Sequence, residues 1–314
     1  MRILVMGAGA LGSVAGGFMA RAGHEVYLVG RTSHIEAIGR DGLFIEGIWG
    51  EHRVQSIHAV TAVGDLPVSD FDLVLVSVKS YDTISATRLI APVVSGKTWV
   101  CSYQNGLGNA ERIANELGWD HVLGARVIYG ARILQPGRVE VTVIAAPTAI
   151  GGYGAPGAAE AAAHVAAAME AAGLPTVATN RIKTILWSKV AYNCALNPLS
   201  ALLNVPYGAL AENEDTRQVM DTVIHEIYAV AAAMKVLMEP ETAEGYLEAF
   251  YGQMLPPTAA HYASMREDLL QGRRTEIDAL NGAIARFGQA EEVSCPANTL
   301  LTALIHAREN GTHV

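Results

Sequence analysis

Apolar residues fill positions 3–6 without interruption, stop at Gly7, and resume over residues 11–22 as mostly small apolar side chains closed by Gly23. A short continuous run and then a longer one, punctuated by glycine, predicts strand, turn and helix. Residues 25–29, 71–78 (FDLVLVSV) and 98–102 are further short apolar runs separated by turn or helix signals, and each predicts a strand. Strands this uniformly apolar belong in a parallel sheet covered on both faces. Residues 42–62 alternate in short pieces around Gly47 and Gly50, and residues 138–144 (RVEVTVI) alternate after Pro136-Gly137. Antiparallel strands are therefore expected beside the parallel core.

Residues 157–172 are largely alanine with glutamate and methionine, stopped by Gly173 and Pro175, which predicts a helix. Beyond Thr179 strand signals cease, and helical patterns cover residues 181–196, 213–235, 240–251, 259–270, 276–289 and 297–310. The expected fold class is α/β. An N-terminal domain built on the parallel sheet, over residues 1–178, would be joined to a C-terminal all-helical domain over residues 179–314. Pro198 lacks an N–H, so it is expected to kink or end its helix and leave a carbonyl without a donor.

Composition narrows the partners. With 51% hydrophobic and 17% charged residues among 314, the chain is neither disordered nor collagen-like. Its net charge of −9, from 22 Lys and Arg against 31 Asp and Glu, opposes general binding to nucleic acid or to an anionic membrane. The longest uncharged run, residues 190–211, carries Asn193, Asn197, Pro198, Asn204 and Pro206 and reads as buried helix and loop, not as a span. Cys101, Cys194 and Cys295 are far apart and form no CxxC, and the N-terminus has no leader pattern, so a cytoplasmic protein is expected. The ten histidines include no HExxH or other ligand spacing, and no metal site is expected.

Gly7-Ala8-Gly9-Ala10-Leu11-Gly12 is a GxGxxG between a predicted strand and a predicted helix, the context in which this pattern binds a dinucleotide pyrophosphate at a helix N-terminus, so residues 1–178 are expected to form a Rossmann-type dinucleotide-binding domain. An acidic residue ending the second strand would bind a ribose 2′-hydroxyl, but this chain has Val29-Gly30-Arg31. A guanidinium there suits a 2′-phosphate. A contact worth roughly 1.5–3 kcal/mol prefers NADPH over NADH by about tenfold to a hundredfold. Lys79 follows the third strand at the carboxyl edge, where ligands bind in such sheets; phosphate, a substrate carboxylate and plain solvent are all open to it.

Gln104-Asn105-Gly106 follows the fourth strand. Asn-Gly often turns a hairpin, but residues 109–117 (NAERIANEL) read as a helix, so Asn105 sits on a strand-to-helix loop at the same edge. Lys189, Asn193 and Asn197 are four residues apart, which on a helix separates them by about 40° in succession and aligns them on one face. Their neighbours are mostly apolar, so this stripe is no ordinary solvated face. Asparagines satisfying a broken helix end at Pro198 is the competing account. Ser264 falls in a helix ending near Gln271-Gly272, and Thr275-Glu276-Ile277-Asp278 has the spacing of a variant capping box that would put Glu276 in a first helical turn. A carboxylate there is equally explained by the helix dipole.

GAGALG, Arg31, SVKSYD, QNGLG, KVAYNCALNPLSALLN and SMREDLLQGRRTEIDALNG together resemble the 2-dehydropantoate 2-reductase, or ketopantoate reductase, family across nearly the whole chain. The resemblance implies NADPH-dependent reduction of 2-dehydropantoate to (R)-pantoate on the way to pantothenate and coenzyme A. It implies Lys189 and Glu276 as catalytic residues, and Asn105, Asn193, Asn197 and Ser264 with them as substrate contacts. Gly7 through Gly12, Arg31, Lys79 and Asn105 would bind the cofactor. The expected partner is a small 2-oxo acid, and a homodimer is open. Two alternatives stand beside it, a reductase of another branched 2-oxo acid and a non-catalytic NADPH sensor.

Overall fold

The computed structural model describes residues 1–311, and the chain divides into two compact units. The first comprises Met1–Asn105 and Asn109–Ile182, the second Gly106–Gly108 and the chain from Lys183 onward.

The first unit contains, in chain order, β1 (Arg2–Met6), α1 (Ala10–Arg21), β2 (Glu25–Val29), α2 (Thr32–Asp41), β3 (Leu43–Gly47), β4 (His52–Val54), β5 (Ile57–Val60) and β6 (Leu73–Val76). There follow α3 (Thr83–Ile90), β7 (Trp99–Ser102), α4 (Asn109–Leu117), β8 (Val122–Arg126), β9 (Tyr129–Gln135), β10 (Arg138–Ile144), β11 (Thr148–Gly152), α5 (Ala158–Ala171) and β12 (Thr176–Ala178). Eight strands form one sheet in the order β12-β11-β8-β7-β6-β1-β2-β5. The six from β8 to β5 are parallel, β11 joins antiparallel to β8, and β12 pairs in parallel with β11.

The apolar runs explain this sheet. All four residues of β6 are buried. Leu73 and Leu75 pack with Phe18 of α1 and Met169 of α5, while Val74 and Val76 pack with Ile90 of α3 and Ile113 of α4. Burying a side chain of this size contributes about 1.5–3 kcal/mol, so a strand apolar on both faces needs a helical layer on each. From β1 the chain builds outward through β2 to β5, then returns to place β6 on the other side of β1. That reversal opens a crevice at the carboxyl ends of β1 and β6.

Residues 42–62 depart in part from the expected antiparallel pieces. β3 and β4 are antiparallel, but β5 extends the main sheet in parallel with β2. β3 also pairs in parallel with β10, giving a second sheet of order β4-β3-β10-β9. Its β9–β10 hairpin turns at Gly137, where φ is +78°.

The second unit contains α6 (Ile182–Leu203) from its second residue on, α7 (Tyr207–Glu212), α8 (Glu214–Ala233), α9 (Ala243–Ala249), α10 (Ser264–Leu270), α11 (Asn281–Ala290) and α12 (Pro296–Glu309), with no strand among its described residues. Pro198 does not end its helix; α6 runs through it to Leu203. The carbonyl that Pro198 has no N–H to reach, that of Cys194, accepts from the Asn281 side chain at 3.1 Å. Trp187, Cys194 and Leu196 on α6 are buried with Ile224 of α8, Phe250 and Ile284 of α11, so continuing the helix is rewarded by packing. The patterns at 259–270 and 276–289 are shortened. Pro256–Thr258 forms a 3-10 turn ahead of α10, and Ile277–Ala279 forms another ahead of α11. Glu276 therefore precedes a 3-10 turn and is not in the first turn of an α-helix. Thr275 Oγ1 accepts from the Ile277 N–H at 3.2 Å, one residue short of capping-box geometry. Among the described residues no helix is long and apolar enough to cross a membrane.

Candidate active site

In the first unit the register levels the carboxyl ends of neighbouring strands, with Met6 opposite both Val29 and Val76 and Val76 opposite Ser102. Arg31, the Gly7–Gly12 turn, Lys79 and Asn105 follow β2, β1, β6 and β7 respectively, so they occupy one edge of the sheet. At about 4.8 Å per strand the row spans roughly 14 Å. Backbone and side-chain hydrogen bonds fix its loops. Gly7 and Ala8 donate their N–H groups to Val29 O at 3.0 and 2.8 Å, and Ser77 Oγ donates to Gly7 O at 2.6 Å. Buried Gln104 donates to Val78 O at 2.9 Å and to Thr83 Oγ1 at 2.8 Å. Ser80 Oγ and Asn109 Nδ2 donate to Asn105 O at 3.0 and 2.9 Å. Lys79 and Asn105 are each partly buried on loops held to each other.

The turn after β1 fits a pyrophosphate. Gly7 has φ of +112°, a conformation that side chains rarely adopt. A Cβ on Gly12 would stand 2.2 Å from Gly7 O and 2.3 Å from Ser77 Oγ, so only glycine lets α1 approach the strand. A Cβ on Gly9 would meet nothing within 4 Å, which leaves the backbone there open to a ligand. No side chain caps α1 and its first turn holds no acid, so its N–H groups suit an anion. Arg31 is exposed and makes no ion pair among the described residues, and the first turn of α2 likewise holds no acid. A 2′-phosphate would meet positive potential from both.

In the second unit, α6 carries Lys189, Asn193 and Asn197. Lys189 and Asn193 are partly buried and Asn197 is 7% exposed. Asn197 Oδ1 accepts from the Tyr207 hydroxyl at 2.6 Å, whereas the Asn193 side chain makes no hydrogen bond among the described residues. The asparagines do not serve the carbonyl freed by Pro198, which Asn281 holds. Ser264 is exposed at the start of α10 and Glu276 is partly buried. Three residues beyond Glu276, Ala279 O accepts from the Leu107 N–H at 2.8 Å, within this same unit. The sequence pattern assigns no role to the Gln104, Tyr207 or Asn281 side chains. The sequence shows a donor missing at Pro198, but nothing local to Asn281 marks it as the group that replaces it.

A doubly wound sheet with a glycine-rich first turn, an arginine after its second strand and a separate helical unit defines a nicotinamide-dinucleotide oxidoreductase. The chain belongs to the ketopantoate reductase family. Residues 3–154 match the family described as "Ketopantoate reductase PanE/ApbA" and residues 181–309 its C-terminal part. The chain is 39% identical over 309 residues to the 2-dehydropantoate 2-reductase of Aquifex aeolicus, covering 98% of this chain and 97% of that protein. It is similar to the crystal structure of a ketopantoate reductase from Ralstonia eutropha JMP134, with a TM-score of 0.87, 34% identity and 99% of each chain covered. It is also similar to D-mandelate dehydrogenase in its ternary structure with NADH and anilino(oxo)acetate, at a TM-score of 0.88, 26% identity and 100% coverage of both chains.

Proposed function

We propose that the chain reduces 2-dehydropantoate to (R)-pantoate with NADPH, a step toward pantothenate and coenzyme A. The observation that carries this reading is the polar face of α6, Lys189, Asn193 and Asn197 on an otherwise apolar helix, in a chain that matches the ketopantoate reductase family along both its parts. In this reading residues 1–178 bind the cofactor and residues 179–314 handle the substrate. Gly7 through Gly12 would hold the pyrophosphate, Arg31 the 2′-phosphate, and Lys79 and Asn105 the remainder of the cofactor. When bound, NADPH supplies hydride to the substrate's C2 carbonyl.

The chain's own groups do the rest. The Lys189 ammonium offsets the negative charge that develops on the carbonyl oxygen and then gives that oxygen its proton. Asn105, Asn193 and Asn197 donate to substrate oxygens, and Ser264 receives the carboxylate. Glu276 accepts from the substrate hydroxyl and orients Lys189.

The fold it shares with D-mandelate dehydrogenase favours one second reading, reduction of a different branched 2-oxo acid. Steady-state rates with NADPH and NADH across a panel of 2-oxo acids decide between them. Highest kcat/KM for 2-dehydropantoate with NADPH is expected; a preference for another 2-oxo acid favours the second reading, and no turnover at all removes both. Three buried free thiols support a cytoplasmic setting. Sedimentation of the purified protein tests assembly as a homodimer.

A further inference from the structure

Three polar residues from three helices form a chain of hydrogen bonds that ends on the backbone of α6. Glu226 of α8 is 7% exposed, and Asn281, the first residue of α11, and Asn298, in the first turn of α12, are 0% exposed. Glu226 Oε1 accepts from the Ala297 N–H at 2.8 Å, and its Oε2 accepts from the Asn298 N–H at 3.0 Å and from Asn298 Nδ2 at 2.7 Å. Pro296 opens α12 without an N–H, so the carboxylate takes the next two donors of that helix N-terminus. Asn298 is thereby locked with Oδ1 free to accept from Asn281 Nδ2 at 3.0 Å. The same Nδ2 donates to Cys194 O at 3.1 Å.

Cys194 O is the acceptor that position 198 serves in an uninterrupted helix, and proline cannot serve it. Asn281 thus supplies from outside the bond that α6 cannot make from within. Its own Oδ1 is buried with no partner among the described residues. Leaving a buried acceptor unmet is costly, so what holds an asparagine there is its two donations. Cys194 lies between Asn193 and Asn197, in the turn where a proline lets a helix change direction.

We propose that Asn281, braced by Asn298 and Glu226, is a positioning residue that stands in for the donor missing at Pro198 and so aims Asn193 and Asn197 relative to Lys189. This rests on the reading that the α6 groups bind the 2-oxo acid. The test is a cycle of wild type, Asn281→Ala, Pro198→Ala and the double variant in the full-length protein. Each is assayed for kcat and KM with 2-dehydropantoate, NADPH affinity by fluorescence, and melting temperature.

Asn281→Ala should lower kcat/KM by at least about tenfold, as expected for displaced substrate-binding groups, and lower Tm, with NADPH affinity unchanged. Restoring an N–H at position 198 should remove most of both losses, bringing the effect of Asn281→Ala to within about twofold. Equal losses in the two backgrounds, or wild-type kinetics for Asn281→Ala, overturn the proposal. If Asn281→Ala does not fold alone, the double variant decides, folded and active in support or unfolded against. A wild-type chain inert toward every 2-oxo acid would sink the substrate reading alone, because the four melting temperatures still judge the Asn281–Pro198 link.

Discussion

The Tyr207 hydroxyl donates to Oδ1 of Asn197 across 2.6 Å, which fixes the orientation of that amide and leaves its NH2 as the group able to act. A donor is what a substrate oxygen needs. Tyr207→Phe keeps the ring against Tyr192 and His261 but frees the amide to turn. KM for the 2-oxo acid should rise roughly fivefold, the equivalent of about 1 kcal/mol of hydrogen bonding, with NADPH affinity unchanged. Steady-state kinetics check this; an unaltered KM would show that the orientation of Asn197 is immaterial.

Arg31 is expected to set cofactor choice, being exposed beside a helix start free of acids. Arg31→Ala should raise KM for NADPH by about tenfold to a hundredfold, for a contact of roughly 1.5–3 kcal/mol, and hardly alter KM for NADH. Parallel changes with both cofactors would remove the argument for a 2′-phosphate contact.

Lys189→Ala is expected to lower kcat by about a hundredfold to ten-thousandfold, the usual effect of losing a positioned proton donor, while NADPH still binds. Lys189→Arg separates charge from proton transfer, because a guanidinium keeps its charge but does not release a proton near neutrality. It should recover little of the rate. A Lys189→Ala enzyme with near-normal kcat would show the mechanism to be wrong.

Stability is expected to fall in mild acid. Buried His34 accepts the Gly137 N–H at Nδ1 (3.1 Å), so its proton sits on Nε2, 3.0 Å from Ser13 Oγ. Burial pushes its pKa below the ordinary value, and burial does the same to the partly buried His24. The native state keeps these rings neutral, whereas unfolded imidazoles bind protons below about pH 6.5. Unfolding therefore takes up protons in that range. The stabilisation is present above pH 6.5 and is lost as pH falls toward and through the depressed native values. Melting temperature should drop between about pH 7 and pH 5, and His34→Gln should flatten the slope. A flat wild-type profile over that range would contradict this.

Much of the candidate site's placement after strands and along α6 was legible because local chemistry dictates it. A short apolar run closed by a turn reads as a buried strand, so the Gly7–Gly12 loop, Arg31, Lys79 and Asn105 fall after strands that the pattern predicts. Short strands such as β8 (VLGAR) and β11 (TAIGG) were not legible, since two or three apolar residues beside glycine have no distinct period and gain their conformation from pairing with each other.

By itself the sequence determined the parallel core, the helical second half and the alignment of Lys189, Asn193 and Asn197, because four-residue spacing acts through the geometry of one helix. It also determined that a carbonyl near Pro198 would lack its donor. Only the tertiary structure decided what met that need. Asn281 lies 87 residues from Cys194, and Gly137 lies 103 residues from His34. A proline removes one donor, and whether the helix then stops or continues depends on whether packing brings another polar group to the orphaned oxygen. Here it does, and α6 runs on to Leu203.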